Sequence, residues 1–228
     1  MPSLPLLDCQ NPQFPPASQA LADPEGLLAA GGNLEPETLL QAYYSGIFPW
    51  YSTGQPILWW SPDPRCVIEP ASLHVSRSLA RTLRRHPWRF TVNEAFPEVI
   101  HHCAAARADT DGTWITPEMI HAYTRLNHSG AAHSVEVWLD GKLVGGLYGV
   151  RVGALFCGES MFSLVTDASK LALRYLCRLS GEAGVQLIDC QLPTPHLLSL
   201  GAMTLPRIDF LARLEALRNK PTGALIGD

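Results

Sequence analysis

Apolar positions along the chain change period several times, and each change predicts an element. From Pro36 to Ser45, Leu39, Leu40 and Tyr43 share one helical face, with proline suited to the first turn and Gly46 closing the last. Ile57-Leu-Trp-Trp60 reads as a strand ended by Ser61-Pro-Asp-Pro64. Ser76 caps a helix to about His86, where Pro87 stops it; residues 88–93 read as a strand and Glu94 to about Ala105 as a helix. Thr116-Pro117 opens another helix ending near Gly130. A meander follows: His133–Leu139, a type I′ turn at Asp140-Gly141, Leu143–Val150 and Ala154–Glu159. Leu171, Tyr175 and Leu179 at i, i+4, i+8 predict an amphipathic helix from Asp167 to about Ser180, and Gly184 breaks it. Val185–Leu192 reads as a buried strand, Thr194-Pro195 starts a short helix to Gly201, and Ile208–Leu217 forms a last helix. Upstream, the prolines of residues 1–25 predict an extended strap. Gly26–Gly32 lacks the Lys-Ser/Thr of a phosphate loop and reads as a turn against the first helix.

A meander, then a helix, then a buried strand is an α+β order rather than a series of alternating βα units. It suits a GNAT-like core, of the Gcn5-related N-acetyltransferase type, from residue 65 to 228, with a small N-terminal domain over residues 1–64 and a boundary at Pro62 and Pro64. The Arg/Gln-x-x-Gly-x-Gly/Ala pyrophosphate loop of such enzymes is missing before the long helix. Residues 159–170 read Glu-Ser-Met-Phe-Ser-Leu-Val-Thr-Asp-Ala-Ser-Lys instead, so the fold is expected without coenzyme A.

Composition narrows the classes. At 46% hydrophobic and 17% charged, the 228 residues can bury a core of ordinary soluble type. A net charge of −4 gives no global signature of nucleic-acid binding, so an RNA partner needs a local patch. Residues 71–93 offer one, with Arg77, Arg81, Arg84, Arg85 and Arg89 and no acidic residue. The alternative is a solvated helix face. The six cysteines show no C-x-x-C pair and suit small buried hydrophobes better than metal ligands or disulfides. The N-terminus lacks signal-peptide features and no apolar run reaches membrane length, so the expectation is a reduced, cytoplasmic, soluble protein.

The candidate chemistry centres on Leu187-Ile-Asp-Cys-Gln191. Alternation puts Leu187, Asp189 and Gln191 on one face, so that Asp189 and Gln191 sit close enough to share a hydrogen bond, and turns Cys190 away from Asp189. A charge in so apolar a strand needs a partner or a task. Glu159 follows Gly158 at the end of another apolar strand, either at a pocket mouth or paired with an arginine. His133 beside Ser134 lacks a nucleophile elbow and reads as a hydrogen-bonded strand histidine.

Longer strings carry a resemblance. GLLAAGGNL at 26–34, GIFPWYS at 46–52, ILWWSPDPR at 57–65, TWI at 113–115 and AHSVEVW at 132–138 are among them. LVGGLYG at 143–149, LFCGESMFS at 155–163, ASK at 168–170, LIDCQ at 187–191 and SLGA at 199–202 complete the set. The chain thereby resembles the bacterial leucyl/phenylalanyl-tRNA–protein transferases.

The resemblance implies transfer of leucine or phenylalanine from leucyl-tRNA or phenylalanyl-tRNA to proteins beginning with Arg or Lys, marking them for the N-degron route. It implies no coenzyme A and no metal, and a monomer is expected. Asp189 and Gln191 match the family's catalytic pair. Asp189 would attract the ammonium and act as base, with Gln191 orienting it. Trp50 and Trp114 match tryptophans that hold the terminal adenosine of tRNA, with Tyr43 assisting, while Trp59, Trp60 and Trp138 are left to the core. Leu147, Phe156, Gly158, Glu159, Leu176 and Ile188 would form the aminoacyl pocket and recognise the acceptor, and Arg77, Arg81, Arg84 and Arg85 would meet the tRNA backbone. Two other readings stay open: an acyl-CoA-dependent N-acetyltransferase, and a noncatalytic module that binds basic protein N-termini.

Overall fold

Strands from the two ends of the chain enter separate sheets. The computed structural model describes residues 4–108, 114–225 and 227. The first sheet holds β1 (Leu6–Leu7), β2 (Leu27–Gly31), β3 (Phe48–Pro49) and β4 (Leu58–Trp60), in the order β1-β2-β4-β3. Helix α1 (Pro36–Tyr44) lies between β2 and β3 in sequence. The second sheet holds β5 (Arg65–Ile68), β6 (Arg89–Val92), β7 (Ala132–Leu139), β8 (Lys142–Val152), β9 (Leu155–Ser163), β10 (Leu187–Gln191) and β11 (Met203–Leu205). Their order is β11-β5-β10-β9-β8-β7-β6. The remaining helices are α2 (Arg77–Arg85), α3 (Phe96–Ala108), α4 (Pro117–His128), α5 (Ala168–Ala183), α6 (Pro195–Ser199) and α7 (Arg207–Leu217).

The large sheet is covered on both faces. Helix α5 packs on β7, β8 and β9, with α2 against it, while α3, α4 and α1 contact the same strands through a second core. Local chemistry explains the helix starts: the Ser76 hydroxyl accepts the Leu79 N–H, and Thr116 does the same for Met119. Asp140 and Gly141 both have positive φ, 51° and 74°, as a type I′ turn requires.

The N-terminal stretch departs from expectation. Residues 27–31 are not a turn but the buried strand β2, paired in parallel with β1 (Leu6↔Ala30) and antiparallel with β4. The proline-rich strap therefore contributes an edge strand. Strands β1, β3, β5 and β11 span two to four residues each, too short for a period to declare itself, and exist through pairing with distant segments. No helix among the described residues is long and apolar enough to cross a membrane.

One junction matters most for function. All neighbours in the large sheet are antiparallel except β9 and β10, which run parallel only from Leu155↔Leu187 to Cys157↔Asp189. Beyond that point β9 continues to Ser163 against β8, while β10 stays with β5. The two strands part, and the gap at their carboxyl ends is the kind of crevice in which ligands bind.

Candidate active site

A cavity of about 300 Å³ opens in that gap. Leu147, Phe156, Leu173, Leu176 and Ile188 line its apolar part and belong to, or adjoin, the core beneath α5. Phe48, Trp50 and Trp114 line another part, and Trp50 is 41% exposed. The edge of the Trp60 ring meets Trp50 at 5.5 Å and 61°, and Trp60 Nε1 donates to the Trp50 carbonyl at 2.7 Å. Gly158, Glu159, Ser160, Met161, Cys190 and Gln191 supply the lining from β9 and β10.

Two bulges aim the polar groups. On β9, Ser160 pairs with Tyr148 and Gly158 with Gly149, which leaves Glu159 as the extra residue. On β10, Asp189 pairs with Val67 and Gln191 with Cys66, which leaves Cys190 extra, and Gln191 takes a left-handed φ of 59°. A bulge redirects side chains that strict alternation would send elsewhere. Here the result is a direct contact, with Gln191 Nε2 donating to Glu159 Oε1 at 2.8 Å. The Tyr123 hydroxyl donates to Glu159 Oε2 at 3.2 Å, and the Tyr43 and Tyr123 hydroxyls are themselves in contact. Burial pushes the Glu159 carboxyl up to about 7; its hydrogen-bond donors oppose that rise and the charge of Asp189 adds to it.

Asp189 is held differently. Its carboxylate receives Arg65 Nε at 2.8 Å and Nη2 at 2.7 Å, plus the backbone N–H of Gln191 at 3.0 Å, and both partners of the ion pair are 1% exposed. Arg65 also donates from Nη1 to the Gly46 carbonyl at 3.1 Å, and its guanidinium lies 5.0 Å from the Phe48 ring centroid and 4.4 Å from that of Phe210. Arg65 thus ties β10 to the segment that leads into β3, the strand that Trp50 follows.

A profile of the leucyl/phenylalanyl-tRNA protein transferases matches residues 67–215, and one of their N-terminal domain matches residues 32–63. The chain belongs to this family. The transferase is 57% identical to the leucyl/phenylalanyl-tRNA–protein transferase of Azoarcus sp. over 90% of this chain and 87% of the relative. It is 52% identical to that of Shewanella woodyi over 98% and 95% of the two chains, and 54% identical to that of Idiomarina loihiensis over 94% and 91%. A solved GCN5-related N-acetyltransferase from Kribbella flavida covers 72% of this chain and is covered over 58% of its own length, at 14% identity and a TM-score of 0.39.

In the transferase, Trp50, Trp114, Leu147, Phe156, Gly158, Glu159, Leu176, Ile188 and Gln191 converge on one cavity. Three expectations need correction. Asp189 does not line the cavity, and Arg65 takes both of its carboxylate oxygens. The Gln191 side chain does not share a hydrogen bond with the Asp189 carboxylate but turns to Glu159, and Cys190 faces the cavity, because the bulge breaks the alternation. Tyr43 is 1% exposed behind Glu159 and does not reach the cavity, so it cannot assist in stacking a base.

Trp59 is fully buried, whereas Trp60 serves as the backing of Trp50. His133 is a strand histidine hydrogen-bonded to Asn93, held neutral by burial and by Arg151 with its pKa lowered to about 4. Thr113 of the TWI string lies outside the described residues. Arg65, Tyr123 and Leu173 were missed. The one available signal was the need of a buried aspartate for a cation, which points to an arginine without saying which.

The start of α5 bears on acyl-CoA chemistry. Asp167 stands at the N-cap, its carboxylate bonded to Lys170 at 2.8 Å and Thr82 at 3.1 Å. A carboxylate there repels a pyrophosphate, which would otherwise favour a helix N-terminus.

Proposed function

We propose that the transferase moves a leucyl or phenylalanyl group from its tRNA onto the α-amine of proteins beginning with Arg or Lys, and that the cavity between β9 and β10 is where the ester and the amine meet. The observation that carries this reading is the convergence of an apolar cavity, two indoles and a buried carboxylate with a matched amide. The aminoacyl side chain fits the wall of Leu147, Phe156, Leu173, Leu176 and Ile188; about 1–3 kcal/mol per methylene makes such a wall selective for large apolar side chains. Trp50 and Trp114 stack on the terminal adenosine, at roughly 1–3 kcal/mol per base.

Glu159 has two tasks in this scheme. Its charge draws the cationic acceptor terminus, and its carboxylate takes a proton from the attacking ammonium. An N-terminal amine titrates near 7.7–8.0, so a base raised to about 7 is well matched to it. The amine then attacks the ester carbonyl to form the C–N bond. The C–O bond to the ribose breaks, and the ribose oxygen leaves as a hydroxyl with the second proton shed by the attacking nitrogen. Gln191 orients Glu159, and Asp189 with Arg65 fixes the turn that presents Gln191. Arg77, Arg81, Arg84 and Arg85 meet the phosphates of the tRNA acceptor arm. They are exposed on α2, which packs on α5, the helix that supplies Leu173 and Leu176 to the cavity. Residues 1–64 and 65–228 act as two units of one cytoplasmic monomer, the first delivering Trp50 and the second the remaining groups.

The test is transfer of radiolabelled leucine from leucyl-tRNA to a peptide beginning with arginine, with acetyl-CoA as the alternative donor. Label should pass from tRNA alone, and Glu159→Gln should cut the rate by about 10²–10⁴-fold, the usual range of general-base help. Label arriving from acetyl-CoA, or peptide bound without transfer, would overturn the assignment.

A further inference from the structure

We propose that Tyr123 and Tyr43 form a positioning pair that keeps the Glu159 carboxylate aimed at the cavity and ionised for proton removal, a role that rests on the assignment of Glu159 as base. The pair comes from two helices on the same face of the sheet, Tyr43 from α1 and Tyr123 from α4. Tyr43 is 1% exposed, Tyr123 0% and Glu159 7%. The rings meet edge-on at 6.5 Å and 74°, and Tyr123 meets Tyr148 in the same way at 5.6 Å and 78°. Phenylalanine would satisfy that packing at every position. Burying two hydroxyls costs free energy unless they are bonded, and here they are bonded in one direction. Tyr123 donates to Glu159 Oε2, and having one proton it must then accept from the Tyr43 hydroxyl.

The chemistry of the chain follows from its ends. Burial, together with the charge of Glu159, pushes both phenols well above their ordinary range, so they remain donors throughout the working pH. A donor to the ionised form favours that form. Around Glu159 the other charged or titratable groups are Asp189 on β10 with Arg65 on β5, and the Cys157 thiol on β9, which burial keeps protonated. Asp189 disfavours ionisation of Glu159, as burial does. The hydroxyl chain and Gln191 oppose both, and Tyr123 also fixes the oxygen that Gln191 does not hold.

The sign of the effect is therefore set. Activity requires ionised Glu159 and falls as pH drops through about 7. Removing the Tyr123 hydroxyl takes away a donor to the carboxylate, so this acid limb must move to higher pH. Single-turnover transfer from leucyl-tRNA to the arginine peptide, at saturating peptide, should be followed against pH for the wild type, Tyr123→Phe, Tyr43→Phe and Glu159→Gln. The peptide amine titrates identically in all four, so differences between them belong to the protein. Tyr123→Phe should lose severalfold in rate on the acid side and recover at alkaline pH, with tRNA affinity unchanged. Tyr43→Phe should shift the limb in the same direction.

Glu159→Gln should keep only the limb of the peptide amine itself, at about 7.7–8.0; a limb in that variant at the wild-type position would sink the assignment of Glu159 and the pair with it. A limb displaced to that of the amine in Glu159→Gln but unmoved in both tyrosine variants would sink the pair alone, as would a loss in Tyr123→Phe that is uniform across pH.

Discussion

Arg65 and Asp189 form a bidentate ion pair in which neither side chain retains more than 1% exposure. Such a pair gives little net stability compared with apolar residues of the same shape, but removing one partner strands the other charge in the core. Arg65→Ala should therefore cost about 3–5 kcal/mol in denaturant unfolding, and Arg65→Lys, which keeps the charge but not the planar fork, should fall between it and the wild type. A wild-type midpoint for Arg65→Ala would show that the pair does not hold the core. The sequence exposes half of this arrangement: an aspartate amid Leu187, Ile188 and Cys190 demands a partner, but Arg65 lies 124 positions away and nothing local selects it over the five arginines of residues 71–93. Glu159 was legible as a site residue from its place after Gly158. Which of its two readings holds, at a pocket mouth or paired with an arginine, was not, because that depends on which acid Arg65 neutralises.

At the scale of elements, the helices and the meander are written in local signals. Serine and threonine caps, prolines in first turns, an Asp-Gly turn and clear periods all act over a few residues, and each helix lies within a few residues of its expected ends. The bulges on β9 and β10 leave no such mark, since an extra residue in a strand is defined by its partner's register. Gly149 offers a test of the β8–β9 bulge. A Cβ there would lie 2.2 Å from the Cys157 carbonyl oxygen and 2.5 Å from Phe156 Cε1, an approach that only glycine permits. Gly149→Ala should cost about 1–3 kcal/mol of stability by overpacking. By shifting Phe156 and Glu159 it should also lower the transfer rate by roughly tenfold or more, since each ~1.4 kcal/mol is a decade. Thermal unfolding and single-turnover rates would together reveal it, and an unchanged rate would mean that the bulge does not set the site.

Across the whole molecule, a protein of net charge −4 must bind a polyanion through a concentrated patch. At 100° per residue, Arg77, Arg81, Arg84 and Arg85 fall within an arc of about 100° on α2, while Leu79 and Leu83 on the opposite side pack into the core beneath α5. Arg81→Gln with Arg84→Gln should weaken tRNA binding and flatten its dependence on salt by about 0.7–0.9 in slope per lost phosphate contact, with single-turnover chemistry preserved at saturating tRNA. An unaltered slope from filter binding at several salt concentrations would assign the patch to solvent.

Taken alone, the sequence determined the helices, the meander, the α+β order and the family, because short-range caps, turns and periods carry the first three and long contiguous strings carry the last. It named part of the cavity lining but placed Asp189 and Tyr43 there wrongly and missed Leu173. Only the tertiary structure decided which carboxylate is ion-paired and which lines the cavity. The parting of β9 from β10, the two bulges and the ion pair from Arg65 combine contacts between segments far apart in the chain, and the protonation of a buried acid is set by what those contacts bring beside it.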